Sequence, residues 1–359
     1  MKLALALAIL TLHCQTTSLA QTYTPAASDE SWSNAIQAAA SLGQRGEFRQ
    51  ALQSYERLLS MPRITSNIER RAYVLSRMAD TEIELGEYPQ AEAQAREAST
   101  ALVSTGLTHT ITFAMSQDTL ADALRVQGNY REAKSTAERA IATAKEIINP
   151  RQPRYAILLT TLALILQETG DLHRAEKLCR EVLDIYLHAT EKDLVPIGQA
   201  YQNLALVYAL QGKTKPALNA INLALAAWNQ ALPPDHPFKV YALSIQIVVY
   251  LKMKAYRQAE ENIPHVLELG LARFGRDHPV RVILLNNAAS VYVSERKYAE
   301  AESLLREATQ VARHRFPPGH PQLTGLLRNY SYVLAKLNRQ GEASRVRAES
   351  EALLVSPLK

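Results

Sequence analysis

The stretch Gly275–Val280, GRDHPV, sets an acid beside a histidine, between a glycine and a proline. Such a pair could move a proton, or contribute ligands to a metal. Related stretches stand at 42-residue steps on either side: PPDHPF, with Asp235 and His236, and PPGHPQ, with Gly319 and His320. That recurrence argues against a metal. Copies on successive helical repeats lie at least one helix spacing apart, about 8–10 Å, whereas zinc holds its nitrogens at about 2 Å. One ion cannot gather His236, His278 and His320. An enzyme using a single Asp-His-Pro loop for acid–base work is kept as an alternative. The simpler expectation is a joint. Pro237, Pro279 and Pro321 preset the first turn of a helix and push the preceding residue out of the helical region. Asp235 and Asp277 suit the positive end of that helix, and the histidine rings are expected to pack between repeats.

No other stretch carries a catalytic pattern. G-x-S-x-G, H-E-x-x-H and C-x-x-C are all missing. QGKTK, Gln211 to Lys215, imitates the end of a phosphate loop, but the first glycine of that motif would fall at Val207. No catalytic residue, cofactor or metal is expected. The net charge of +5 is mild for 359 residues, and basic and acidic side chains alternate in runs such as ERKYAEAES. That is a solvated mixed-charge surface rather than a nucleic-acid face. A nucleic-acid-binding helical repeat is a further alternative, although repeats that read RNA base by base have a different period and code.

The N-terminus reads as a targeting segment. Lys2 precedes the apolar run Leu3–Leu12, and Ser18-Leu19-Ala20 places small residues ahead of Gln21. This layout predicts a signal peptide over residues 1–20 and export to the periplasm or the extracellular space. A run of ten is too short to span a bilayer, and no other segment is apolar enough to cross a membrane. The alternative is an apolar first helix of the fold. His13 stands before Cys14 where a lipoprotein anchor needs a small residue. With the signal removed only Cys179 remains, so no internal disulfide forms, and the helical phase below makes Cys179 a core residue.

The elements that carry these residues emerge from an internal repeat. GEFRQALQSYERL begins at 46, GEYPQAEAQAREA at 86, GNYREAKSTAERA at 128 and GDLHRAEKLCREV at 170. GKTKPALNAINLA follows at 212, KAYRQAEENIPHV at 254, RKYAEAESLLREA at 296 and the weaker NRQGEASRVRAES at 338. The spacing is 40 once and 42 thereafter. The sixth residue is alanine in all eight: Ala51, Ala91, Ala133, Ala175, Ala217, Ala259, Ala301 and Ala343. With 53 alanines in 359 residues, chance would place about one there. A methyl side chain lets two helices approach closely. Apolar residues four and seven positions on complete a buried helical stripe. A helix with its own stripe precedes each segment, such as Tyr201, Leu204, Ala205 and Tyr208. A glycine ends it in most copies, and an aromatic stands two residues later in five. Hydrophobic residues are 47% and aromatics 6%, which excludes disorder for most of the length and predicts an almost wholly helical chain.

The pattern aromatic–x2–Leu–Ala–x2–Tyr–x3–Gly–x–Tyr–x2–Ala resembles a tetratricopeptide repeat. The 42-residue period with an H-P between repeats is similar to the arrays of kinesin light chain and its bacterial relatives. HEAT repeats share the period but lack this turn. The departures are Lys254, Arg296 and Asn338 in the glycine slot, and Thr214 and Gln340 in the aromatic slot. The resemblance implies an all-α solenoid of about eight helix-turn-helix repeats in a right-handed superhelix. The array is expected over residues 31–351, after a linker at 21–30 and before a tail at 352–359. It also implies a non-enzymatic scaffold that binds a protein partner or an extended peptide in a concave groove lined by the first helices. Carried over slot by slot, the groove residues are Gln199, Gln202 and Asn203, then Tyr241, Ser244 and Ile245, then Asn286, Asn287 and Ser290, then Arg328, Asn329 and Tyr332. Asn203, Asn287 and Asn329 share one phase, where related grooves use asparagine to hold a peptide backbone. An amide both donates and accepts, and can clamp a main chain without demanding a sequence. Arg328 would add a carboxylate contact. In the N-terminal half the same face carries Arg77, Asp80, Asp118, Asp122 and Arg125, charges that either select a different ligand or pair with each other. The alternative is that all these groups are solvated or bond neighbouring helices. A second copy of the chain, docked through a terminal repeat, is the other partner considered.

Overall fold

A computed structural model describes residues 30–355. The expected signal peptide and all but the last residue of the expected linker lie outside them. Among the described residues the chain forms seventeen α-helices and no strand. The first helices of the repeats are α1 (Glu30–Gln44), α4 (Ile68–Glu84), α6 (Ile111–Val126), α8 (Pro153–Glu168), α10 (Leu194–Leu210), α12 (Pro237–Lys252), α14 (Pro279–Ser294) and α16 (Pro321–Lys336). The second helices are α2 (Phe48–Leu59), α5 (Tyr88–Ser104), α7 (Tyr130–Ile147), α9 (Leu172–Leu187), α11 (Thr214–Ala231), α13 (Tyr256–Phe274), α15 (Tyr298–Arg315) and α17 (Gln340–Val355). Each second helix begins at the aromatic slot of the repeat, also where that slot holds Leu172, Thr214 or Gln340. One short helix, α3 (Pro62–Thr65), lies between the first two repeats, where the spacing is 40 rather than 42. The last helix runs to Val355, into the stretch expected as a tail.

Two compact units divide the described chain. The larger holds residues 30–207 and 222–236, the smaller residues 208–221 and 237–355. In the larger unit α4 packs on α5 and α6, and α6 on α7 and α8. In the smaller unit α12 packs on α13 and α14, and α14 on α15. Within each unit these first helices touch their own partners, and α4, α6 and α12 also touch the next first helix, which is the packing of a solenoid. The alanine slot sits in the core. All eight of its residues are buried, Ala343 the most open at 3% exposed. Cys179, four residues beyond Ala175, is buried in the same stripe, and burial with Glu176 nearby pushes its thiol up to about 12. Cys179 is thus a core residue, as its helical phase implied.

The departures from glycine in the turn leave the backbone unchanged. Gly86, Gly128 and Gly170 have φ of 72°, 84° and 89°; Lys254, Arg296 and Asn338 have 60°, 62° and 61°. The turn closes on the same backbone bond in both kinds of repeat. The Glu87 N–H donates to the Glu82 carbonyl at 2.8 Å, and the Lys297 N–H to the Tyr292 carbonyl at 2.8 Å. A side chain in the left-handed region costs about 1–2 kcal/mol, partly offset by the larger entropy that glycine loses. Lys254→Gly and Arg296→Gly are each expected to raise stability by about 0.5–1 kcal/mol. Urea unfolding of the two single variants checks this; a loss of stability in both would refute the account of the turn.

Candidate functional site

The Asp-His-Pro loops are joints. His278 and His320 are buried, at 7% and 2% exposure, while Asp277 is exposed. The Nδ1 of His278 accepts the Val280 N–H at 3.2 Å, and the Nδ1 of His320 accepts the Gln322 N–H at 3.2 Å. Each histidine thereby caps the helix that its proline begins, satisfying a donor that the helix leaves open. Each ring also lies on the aromatic residue four positions earlier: Phe274–His278 at 4.8 Å and Phe316–His320 at 4.3 Å between centroids. Nδ1 is thus engaged by backbone and the ring by stacking.

In the smaller unit the first-helix face is amide and hydroxyl. Asn287 Nδ2 donates to Ser244 Oγ at 3.0 Å, and Asn329 Nδ2 donates to Asn286 Oδ1 at 2.9 Å. Both bonds join residue i to residue i+43, one position beyond the sequence period. They link α12 to α14 and α14 to α16. The donors of Asn287 and Asn329 are therefore committed to neighbouring repeats, and the Oδ1 of Asn287 is left as a buried acceptor with no partner among the described residues. Tyr241 is buried, with its ring 5.5 Å from Phe274, so it extends the joint's aromatic stack. Ile245 and Ser290 are buried too. Arg328 is exposed, unlike Asn329 beside it.

In the larger unit the same face is charged along α4, α6 and the end of α8. Arg77 pairs with Asp80. Arg125 donates from Nε to Asp122 at 2.7 Å and from Nη1 to Glu168 at 2.6 Å, again i to i+43. Asp118 is fully buried. Burial, together with Asp122, pushes Asp80 up to about 6 against the pull of Arg77. Burial also holds Glu84 well above the usual carboxylate range, with Asp122 and Asp80 adding to it. For Arg125 burial opposes the charge, yet Asp122 and Glu168 hold it above its ordinary value. The charges on this face thus largely pair with one another, the second of the two expectations. Glu84 and Glu168 were not among the expected residues, although both stand seven positions before the repeat alanine, two periods apart. On α10, Gln199 is half-buried, while Gln202 and Asn203 are 3% and 2% exposed. Gln202 Oε1 and Asn203 Oδ1 have no partner among the described residues.

Glu82 supplies a pH-dependent term. It is buried near the end of α4, and burial, with Glu87 and Glu56 nearby, pushes its carboxyl up to about 7 from the usual 4.5. The folded state therefore binds more protons than the unfolded chain between these values, and stability falls as pH rises through that window. Glu82→Gln is expected to leave stability unchanged at pH 4.5 and to raise it by about 1–2 kcal/mol at pH 8. Denaturant unfolding at both pH values decides; equal stability of the two chains at pH 8 would rule out the buried carboxylate as a cost.

Among the described residues no group of three or more His, Cys, Asp or Glu side chains is placed to hold a metal, and no helix is long and apolar enough to cross a membrane. The family described as the MalT-like TPR region matches residues 33–346. No curated protein matches the chain. BtubC (BKLC) from P. vanneervenii is similar in structure, with 18% identity over 62% of this chain and 90% of that chain, at a TM-score of 0.50. A kinesin light chain candidate from Podosopora anserina with nearly identical TPR-like repeats has 18% identity over 56% of this chain and 96% of that one, at 0.44. The first of these likenesses supports the solenoid fold.

Proposed function

The chain belongs to the MalT-like TPR family, and from that premise we propose that it is an exported, non-enzymatic scaffold holding a protein partner, or an extended peptide, on the face lined by its first helices. The observation that carries the reading is the set of buried side-chain acceptors on those helices: Gln202 Oε1 and Asn203 Oδ1 in the larger unit, and Asn287 Oδ1 in the smaller. A buried carbonyl without a donor costs free energy, and the N–H of an extended main chain would satisfy it. Arg328, exposed on α16, offers a guanidinium to a carboxylate on the partner. Export rests on the Lys2, Leu3–Leu12 and Ser18–Ala20 layout, and N-terminal sequencing of the mature protein should begin at Gln21.

The test is capture from the exported fraction by the parent chain and by two paired variants. Gln202→Ala with Asn203→Ala removes acceptors that hold no other helix, so capture should fall at least tenfold with the fold intact. Asn287→Ala with Asn329→Ala should also weaken capture, and should cost stability because it breaks two inter-repeat bonds. Capture unchanged by both pairs removes the groove reading.

A further inference from the structure

His236 departs from its siblings in a way that repeat geometry does not require. At His278 and His320 the ring lies on a phenylalanine four residues earlier; at His236 that position is Leu232. The His236 ring is 1% exposed, and its Nε2 donates to the main-chain oxygen of Gln44 at 2.8 Å. Gln44 is the last residue of α1, and the final carbonyls of a helix have no partner within it. The bond spans 192 residues, from the end of the first helix to the joint that follows α11, within the larger unit. On the first-helix face of that unit Asp80, Asp118, Asp122 and Arg125 are all at most 6% exposed.

We propose that the His236–Gln44 bond is a clasp that ties the first repeat across the larger unit and keeps its first-helix face closed until the clasp opens. The proposal rests on the groove reading above, whose site it regulates. A bond of this kind is worth about 0.5–1.5 kcal/mol net, so releasing it changes an open population about two- to tenfold. That is small enough for a binding partner to shift, since a ligand moves an equilibrium only by its differential affinity for the two states. The closed face also explains how a chain built for binding keeps its polar row out of solvent before a partner arrives.

The test places a reporter thiol on the face. Thr119 is fully buried on α6 and stands in the phase of Asn203. In full-length protein carrying Thr119→Cys, labelling by a thiol reagent is followed with His236, with His236→Asn and with His236→Gln; Cys179 supplies the background, measured without Thr119→Cys. Asparagine caps a helix well but is too short to reach Gln44, whereas glutamine can still donate. His236→Asn should label about two- to tenfold faster, and His236→Gln should label at close to the parent rate. Equal rates in the parent and His236→Asn overturn the clasp, and so does fast labelling in His236→Gln. Unfolding of His236→Asn alone would show that the bond holds the fold rather than gating the face, which also overturns it. No partner is needed for this readout, so its failure leaves the groove reading standing. Unchanged capture by the Gln202 and Asn203 pair would sink the groove reading and leave the clasp.

Discussion

Arg125→Met is expected to destabilise the larger unit by about 3–5 kcal/mol at neutral pH. Arg125 is 1% exposed, with its guanidinium shared between Asp122 on its own helix and Glu168 on the next first helix. Methionine fills much of the volume but leaves two carboxylates facing each other without a cation, and an uncompensated buried charge costs far more than the pair itself contributes. Two further results separate this cause from simple loss of packing. Adding Asp122→Asn and Glu168→Gln should return at least half of the loss, because the orphaned charges are gone. The loss should also shrink as pH falls, since the stranded carboxylates can then take up protons. Urea unfolding at pH 7.5 and pH 5, with and without the added substitutions, supplies the measurement. A loss below 1 kcal/mol at pH 7.5 would mean that the face is solvated in solution.

Gly198→Ala carries the second large effect, and its sign opposes helix propensity. Alanine is normally better than glycine inside a helix by about 1 kcal/mol. At Gly198, however, an added Cβ would stand 2.7 and 2.8 Å from ring carbons of Trp228. That indole cannot swing away, because it is 1% exposed and its Nε1 donates to the Val195 carbonyl at 3.0 Å. The expected net loss is about 1–3 kcal/mol, with the indole bond strained or broken. Gly270→Ala is the internal control. Its Cβ would meet only the terminal methyl of Leu284, the next atoms lying 3.7 and 3.8 Å off. A leucine tip can turn, so that variant should stay within about 1 kcal/mol of the parent. Thermal unfolding and tryptophan fluorescence of both variants distinguish the cases. A stabilised Gly198→Ala would contradict the contact.

The helix pairs, their turns and the alanine slot were legible in the residues alone, and the reason is periodic. Contacts inside one repeat recur at fixed offsets, so eight copies of a weak pattern reinforce one another, and the side chains at Ala51 through Ala343 all proved buried. Even Lys254, Arg296 and Asn338, which break the pattern, adopt the backbone of the glycines they replace, because the surrounding helix pair dictates that φ. The joints were legible in outline: proline starts the helix and histidine packs between repeats. That Nδ1 serves as the cap was not, since a residue type does not reveal which nitrogen faces a backbone donor.

The polar positions of the first helices were legible by their phase in the repeat, and their bonds were not. Asn203, Asn287 and Asn329 share one phase of the repeat. Only the packed first helices decided that Asn287 and Asn329 donate to neighbours while the Asn203 oxygen has no partner among the described residues. The offset of 43 in those bonds is set by how successive helices are staggered, and a period of 42 in the residues cannot show it. The same holds for Gly198 against Trp228 and for His236 against Gln44. Thirty and 192 residues separate these partners, and no local pattern marks them. Sequence by itself determined the repeat, because repetition needs only local offsets and a methyl at the close approach. The tertiary structure alone decided which polar groups are paired, which remain open and which ends are tied, because those depend on the distance between side chains far apart in the chain.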